Sequence, residues 1–189
     1  MDNTLIELYT DGSCKPNPGI GAIGYIIRYW ELKEGQDLPE VINIEKCQGY
    51  RYTTNNRMEI LASLVGLTEI ADGIENNVFK NVSKIDLYSD SRYFCDAVTQ
   101  RWIDKWERNN WMTAGFQNKP PALVKNRDLW EMVIVVLNRL QMLNVICNTN
   151  HIPGHKGHEW NEKCDQLAQN AARGTGHISD EVYERMARR

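Results

Sequence analysis

Polar and apolar residues alternate in three successive stretches at the start of the chain. The first is TLIELYTDGS, in which Ile6 and Leu8 share one face, and it ends in the turn-forming sequence DGSCKPNPGIG. Two more β-rich runs follow, AIGYIIRYWE and VINIEKCQGYRYT, with the polar segment LKEGQDLPE between them. Three strands in direct succession predict an antiparallel meander.

The hydrophobic period changes to that of a helix between Asn56 and Ala71. Apolar residues there occupy more than one side, which predicts a central and largely buried helix. The later segments predict in turn a strand (SKIDLYSD), a helix (SRYFCDAVTQ), a long helix (NRDLWEMVIVVLNRLQML), a strand (NVICNTNHIP) and a final helix (EWNEKCDQLAQNAARG). This order predicts an α/β fold with a five-stranded mixed sheet flanked by helices: an antiparallel three-strand meander plus two parallel strands reached through helical crossovers.

Length and composition indicate a single domain over residues 1–189. No apolar run approaches the roughly 18 residues that a membrane span needs, so we expect a soluble protein with no membrane partner. The five cysteines are scattered without a CxxC pair, which favours free thiols in a reducing compartment and hence a cytoplasmic location. The segment from about residue 175 to 189 predicts a short helical tail, and neither the segment 32–45 nor the segment 72–83 has an assigned role.

Basic charge is concentrated in one segment, although the net charge of the chain is -3. Between Arg101 and Arg127 the chain carries six basic residues and two acidic ones, together with three of its six tryptophans. Such a segment, about residues 100–127, is typical of a surface that follows the phosphates of a nucleic acid.

Four carboxylates stand at or near the ends of the predicted elements. Asp11 closes the first strand and Asp90 the fourth, and parallel neighbours would bring them together at the carboxyl edge of the sheet. Glu59 lies in the first turn of the central helix, and Asp165 lies in the last helix beside its apolar stripe. Each has a structural alternative: Asp11 as a turn residue, Glu59 in a capping box with Asn56, Asp90 as an N-cap and Asp165 as a solvated helix residue. Their joint placement instead favours a site for Mg²⁺ or Mn²⁺, because clustered hard oxygen ligands are tolerated when a divalent cation neutralises them.

Four motifs, YTDGSCKPNPG, YTTNNRMEI, LYSDSRY and HIPGHKGHEWNEKCDQLA, occur in this order and together resemble type 1 ribonuclease H. The segment from VTQRWIDKWERNNW to PALVKNRDLW resembles the basic protrusion of many bacterial members, and the resemblance covers about residues 4–174. It implies the ribonuclease H-like fold and hydrolysis of the RNA strand of RNA/DNA hybrids. The mechanism that it implies uses two Mg²⁺ ions, for which Mn²⁺ can substitute, and leaves 5′-phosphate and 3′-hydroxyl ends.

The resemblance also assigns roles to individual residues. The family's Asp-Glu-Asp-Asp set matches Asp11, Glu59, Asp90 and Asp165, and its flexible-loop histidine, which helps to move a proton or release product, matches His155. Positions that approach the hybrid match Cys14, Asn17, Thr54, Asn55 and Asn56, with Thr54 in a pocket for a DNA-strand phosphate. Arg92 stands where relatives often carry glutamine and is a candidate phosphate contact. Trp102, Lys105 and Trp111 of the protrusion are further candidates, although the tryptophans also suit its core. A monomer is the family expectation.

Two other classes of function compete with this hypothesis. The first is a hybrid-binding module without catalysis, which would be expected to lack one of the four carboxylates. The second is a zinc hydrolase built on the residues His151, His155, His158 and Cys164, which fall within fifteen positions of one another. Their spacing lacks zinc-like pairing, and Cys164 falls on the apolar stripe of its helix.

Overall fold

A computed structural model describes residues 4–31, 38–115, 120–154 and 157–188 of the chain. Its strands are β1 (Thr4–Cys14), β2 (Gly19–Glu31), β3 (Glu40–Thr53), β4 (Val82–Ser89) and β5 (Ile146–His151). Its helices are α1 (Asn55–Glu75), α2 (Arg92–Thr99), α3 (Trp102–Arg108), α4 (Arg127–Met142), α5 (Glu159–Arg173) and α6 (Glu181–Ala187). The predicted order of strands and helices is confirmed, and the basic segment adds the short helix α3.

The strands form one mixed sheet in the order β3-β2-β1-β4-β5. β1 pairs antiparallel with β2, which pairs antiparallel with β3, so the first three strands form the predicted meander. β4 lies parallel to β1, and β5 lies parallel to β4. β1 is therefore central, and its carboxyl end lies beside the end of β4.

Helices cover both faces of the sheet because alternate residues of its strands are apolar on both sides. Ile6 and Leu8 of β1 point into the larger core, where they pack with buried residues of α1 and α4 such as Met58 and Trp130. Tyr9 lies on the other face in a smaller core with Ile26 and Cys164 of α5. In the part of the chain described above, no helix is both long enough and apolar enough to cross a membrane.

The segments 72–83 and 32–45, to which the sequence assigned no role, take part in the fold where they are described. α1 continues to Glu75, four residues past its predicted end, and Arg139 of α4 pairs with Asp72 and Glu75 of this last turn. In the loop that follows, the Phe79 ring packs against Gly73. A Cβ added to Gly73 would lie only 2.3 Å from that ring. Residues 32–37 of the segment 32–45 lie outside the described residues, and the remainder of that segment enters β3, where Glu40 pairs with Glu31.

The predicted helical tail is present as α6, and the structure shows where it packs. Ile178 pairs with β3: its N–H donates to the Gly49 carbonyl at 3.0 Å and its carbonyl accepts from the Arg51 N–H at 2.9 Å. The Tyr183 ring of α6 lies 5.6 Å from the Tyr52 ring of β3. The tail therefore extends the sheet edge and then turns toward the start of α1.

Candidate active site

Asp11 and Asp90 lie side by side at the carboxyl edge of the sheet. The parallel register pairs Thr10 with Ser89, so the next residue of each strand carries a carboxylate at the same edge. Asp11 is only 8% exposed, and its Oδ1 accepts a hydrogen bond from the Gly12 N–H at 2.7 Å. The N-cap of α2 is Ser91 rather than Asp90, so the capping alternative for Asp90 is excluded.

Glu59 reaches this edge from α1 because the helix backbone lies directly against β1. A Cβ on Gly12 would be 2.3 Å from the backbone of Met58 and Glu59, so only glycine permits this approach. Two donors hold the carboxylate of Glu59: Asn55 Nδ2 at 2.6 Å and Ser91 Oγ at 2.5 Å. Because the N-cap of α1 is Thr54 and the Glu59 side chain has these partners, the alternative of a capping box with Asn56 is excluded.

Ser91 connects Glu59 with the start of α2. Its hydroxyl donates to Glu59 and also accepts from the Phe94 N–H at 3.2 Å.

We expect Ser91→Ala to lower the free energy of unfolding by about 1 kcal/mol through loss of the cap, and to lower kcat by roughly 3- to 10-fold because Glu59 loses a donor. Urea unfolding and steady-state cleavage measure the two effects, and Ser91→Thr, which keeps the hydroxyl, is the control. An unchanged kcat in the alanine variant would mean that Ser91 acts only as a cap.

Asp165 is brought to the site by the packing of α5 on β1 and β2. Gly24, which pairs with Asp11, lies so close to this helix that a Cβ on it would come within 2.3 Å of the Cys164 carbonyl oxygen. The next residue, Asp165, is thereby placed beside Asp11, and its Oδ2 accepts from Gln169 Nε2 at 2.8 Å. Gly24 therefore allows α5 to bring Asp165 to the site, a role that the sequence did not indicate.

The four carboxylates are close enough to interact electrostatically. Burial raises the pKa of Asp11 to about 8, and the charges of Asp90, Asp165 and Glu59 add to the effect, while the Gly12 N–H opposes it. Burial also raises the pKa of Glu59, and the charge of Asp90 acts in the same direction, against the hydrogen bonds from Ser91 and Asn55. This edge of the sheet therefore concentrates negative charge in a partly dry environment.

The donor set of this edge fits a hard divalent cation. All four side chains offer carboxylate oxygens, the ligands that Mg²⁺ and Mn²⁺ prefer. A cation would offset both the burial and the repulsion that raise the pKa of Asp11. Within the described ranges no group of three or more Asp, Glu, His or Cys side chains is arranged to hold a metal ion as it stands. In the described structure Asn55, Ser91 and Gln169 hold two of the carboxylates, so binding would require some of these side chains to turn.

The histidine-rich segment lies against the carboxylates, and its described residues are not arranged as a zinc centre. The Cys164 thiol is buried and donates to the Tyr9 carbonyl at 3.3 Å, and burial raises its pKa well above the ordinary value, which disfavours the thiolate that zinc binds. The His158 ring packs against the Tyr9 ring at 5.4 Å. Gly154 lies against Asp90, since a Cβ on it would be 2.6 Å from Oδ2, so the loop begins at the carboxylates. His155, the predicted proton carrier, lies outside the described residues.

The predicted substrate contacts at the start of α1 lie together beside the carboxylates. Asn55 joins three elements, because its Oδ1 accepts from the Cys14 N–H at 3.2 Å and its N–H donates to Asn17 Oδ1 at 3.2 Å. Thr54 precedes it as the N-cap, and Asn56 is exposed. Cys14 is 3% exposed and its thiol donates to the Thr53 carbonyl at 3.4 Å, so its side chain supports this junction and faces away from solvent.

The residues predicted for the basic protrusion divide into surface and core. Lys105 is exposed on α3, and Arg92 is exposed at the first position of α2. Trp102 is half-buried and lies 6.1 Å from the Trp106 ring, which continues to Trp130 of the main core. Trp111 is 5% exposed. Its burial favours the core alternative for Trp111 and corrects its assignment as a substrate contact, since a covered ring cannot stack on a base.

The sequence and the fold of this chain are similar to those of known proteins. The family model for RNase H matches residues 3–173. A curated relative, "Ribonuclease H" of Rippkaea orientalis, is 38% identical over 179 residues, which cover 95% of this chain and 92% of the relative. Among solved structures, LC9-RNase H1, a type 1 RNase H with the type 2 active-site motif, aligns with a TM-score of 0.66 at 25% identity, over 100% of this chain and 83% of that one. LC11-RNase H1 in complex with an RNA/DNA hybrid aligns with a TM-score of 0.55 at 18% identity, over 88% and 96% of the two chains.

Proposed function

This chain belongs to the ribonuclease H family, and we propose that Asp11, Glu59, Asp90 and Asp165 are the carboxylates with which it binds its catalytic metal. The protein is a hydrolase that cleaves the RNA strand of RNA/DNA hybrids, and its family is metal-dependent. The observation that carries the proposal is the gathering of Glu59 of α1, Asp165 of α5 and Asp90, which follows β4, around the buried Asp11 of β1.

Two Mg²⁺ ions are the proposed occupants, with Mn²⁺ able to substitute. When bound, such ions supply the Lewis acidity that activates water and stabilises the leaving 3′ oxygen, which gives 5′-phosphate and 3′-hydroxyl products. The protein's part is to hold the ligands. Asp11 is central because the other three carboxylates all act on it, and the donors Ser91 and Asn55 orient Glu59.

Recognition of the hybrid is proposed for the junction between β1, β2 and α1. Asn17, Asn55 and Asn56 carry side-chain amides, which both donate and accept hydrogen bonds and so suit the 2′-hydroxyl that distinguishes RNA from DNA. Thr54, at the N-cap of α1, suits a phosphate of the DNA strand. Arg92 and Lys105 are exposed and would follow phosphates without reading sequence, and half-buried Trp102 would support them.

Three further elements of the proposal concern residues or properties beyond this geometry. His155 is proposed to move a proton or assist product release, as a titratable imidazole in a glycine-flanked loop. A cytoplasmic location is supported by the five free cysteines, three of them buried. We also propose that the protein acts as a monomer.

Incubation with an RNA/DNA hybrid tests the proposal most directly. With the RNA strand labelled, we expect Mg²⁺-dependent cleavage that chelation with EDTA stops and that re-added Mg²⁺ restores, whereas duplex DNA stays intact. The ends of the products are identified by their response to phosphatase and to 5′-phosphate-dependent exonuclease. Binding of the hybrid without cleavage would support the non-catalytic module, and tightly bound stoichiometric zinc would support the zinc hydrolase.

A further inference from the structure

Arg57, the third residue of α1, is a buried cation with two carboxylate partners from distant parts of the chain. It is 1% exposed. Its guanidinium donates to Asp128 of α4 through Nη1 at 2.9 Å and Nη2 at 2.7 Å. It also donates to Asp180 through Nε at 2.6 Å and Nη2 at 2.8 Å. Two bidentate pairs thus fix the side chain of Arg57 at the start of α1.

Asp180 binds more than Arg57. This residue is 7% exposed, and its Oδ2 also accepts from the hydroxyl of Thr53, a fully buried residue, at 2.7 Å. Its Oδ1 accepts from the Tyr183 N–H at 3.4 Å and so caps α6. Asp180 therefore holds the last residue of β3 and the third residue of α1 at once, on either side of Thr54, Asn55 and Asn56.

The helix that follows Asp180 forms part of the surface beside these residues. A groove of about 750 Å³ lies between the start of α1 and α6. One side carries Asn17, Thr54 and Asn56, and α6 contributes Val182, Tyr183 and Met186 to its lining. The C-terminal segment thus lies next to the junction to which hybrid recognition was assigned, and it is attached there through Asp180.

We propose that Asp180 is a positioning residue for hybrid binding: through Arg57 and Thr53 it fixes the segment from Thr54 to Asn56, so that the C-terminal segment belongs to the substrate-binding apparatus. The proposal rests on the proposed function, because it concerns binding of the hybrid by that same site. Asp180 lies on the binding side, and the carboxylates are positioned mainly by contacts at Gly12, Ser91 and Gly24. Glu59 also accepts from Asn55 of the segment that Asp180 fixes, but it keeps its second donor, Ser91, when that segment is freed. Its loss should consequently raise KM much more than it lowers kcat.

The sign of this effect separates positioning from simple charge. Removing a carboxylate from a surface that binds a polyanion strengthens binding when only long-range electrostatics act. Asp180→Asn also weakens the hydrogen bonds from Arg57. Because asparagine has only one oxygen, one of the Arg57 donors loses its acceptor on this residue, which frees the start of α1. A rise in KM would therefore oppose the change in charge and reveal the positioning role.

Steady-state cleavage of a labelled hybrid by the full-length protein tests the proposal. The assay temperature is kept well below the unfolding midpoint of the variant. For Asp180→Asn we expect KM to rise by roughly 3- to 10-fold and kcat to stay within about 2-fold of wild type. Asp180→Glu, which keeps the charge, should recover part of the loss. Asp72→Asn is the matched control: it changes the charge equally on the exposed far end of α1, and KM should not change.

Other outcomes would overturn the proposal. If Asp180→Asn lowers only the thermal midpoint and leaves KM unchanged, the residue is purely structural. A fall in kcat at constant KM would place its effect on the chemistry instead. If the variant does not fold, Thr53→Val, which removes only the 2.7 Å bond, decides the question: KM should rise by about 2-fold, and an unchanged KM refutes positioning. If wild type itself fails to cleave the hybrid, the proposed function fails, which is a different result.

Discussion

Asp11→Asn is expected to remove nearly all hybrid cleavage and at the same time to stabilise the folded protein. Asparagine keeps the shape of the side chain and the oxygen that accepts from the Gly12 N–H, but it loses the charge that a divalent cation needs. The loss in kcat should be roughly 10³-fold or more, because metal catalysis supplies several kcal/mol of transition-state stabilisation. Stability should rise because the variant no longer confines a charge beside Asp90 and Asp165.

The pH dependence of the stability gain follows from the raised pKa of Asp11. In the folded state this pKa is about 8, above the ordinary value of 3.8 that applies to the unfolded chain. A carboxyl group with a raised folded pKa contributes stability that is fully present below pH 4 and is lost as the pH rises toward 8. Asparagine does not titrate, so the advantage of Asp11→Asn over wild type should grow across that window in the presence of EDTA, to at least about 1 kcal/mol at its upper end.

Urea unfolding at several pH values, with EDTA and with Mg²⁺, measures this effect beside the cleavage assay. Added Mg²⁺ should stabilise wild type and leave Asp11→Asn nearly unchanged, because a ligand stabilises only the state that binds it. Asp72→Asn, on the exposed end of α1, keeps the four carboxylates and should therefore behave as wild type: Mg²⁺ should stabilise it, and it should show no stability gain that grows with pH. Substantial cleavage by Asp11→Asn, or a stability difference independent of pH, would contradict the central position given to Asp11.

The meeting of the carboxylates could be predicted from the sequence because it depends on strand order. Asp11 lies near the carboxyl end of β1 and Asp90 directly after β4, and any sheet that places those strands in parallel brings the two side chains to one edge. Of the two contacts that orient Glu59, Asn55 lies four residues away on the same helix, but the contact from Ser91 could not be predicted in this way. Ser91 lies 32 residues from Glu59 in the chain, and the capping-box spacing gave Glu59 a local partner that the folded protein does not use.

The attachment of the C-terminal tail was also beyond sequence reasoning. Arg57 follows two exposed-looking asparagines at a helix start, where a basic residue usually reaches into solvent. Its burial depends on Asp128 and Asp180, which are 71 and 123 residues away. Partners at such distances leave no periodic signal, whereas the apolar stripe that buries α1 does. Pattern therefore predicted the helix and its buried faces, and the structure was needed to identify what fixes its first turn.

Gly12→Ala is expected to have the second large effect, on stability and activity together. Gly12 lies in β1 between Asp11 and the residues that approach the substrate, and α1 crosses it at backbone distance. An added methyl group would lie 2.3 Å from Met58 C and from Glu59 N, which are backbone atoms that cannot turn aside. Strand and helix must separate, so we expect a loss of about 3 kcal/mol or more in the free energy of unfolding. The same separation moves Glu59 away from Asp11.

The loss of activity should exceed the loss of folded protein. If overpacking only destabilised the fold, the specific activity of the folded fraction at low temperature would equal that of wild type. Displacement of Glu59 relative to Asp11 instead predicts that kcat of the folded fraction falls by at least about 10-fold, since a shift near 1 Å at a catalytic site is costly. Urea unfolding and kcat at low temperature separate the loss of stability from the displacement of Glu59.

Gly174→Ala is the control. Its new methyl group would meet only carbonyl oxygens at 3.4 and 3.5 Å, so stability should change by no more than about 0.5 kcal/mol. Wild-type stability and kcat in Gly12→Ala would show that the site adapts to the separation, and that the close approach of α1 to β1 does not determine its geometry.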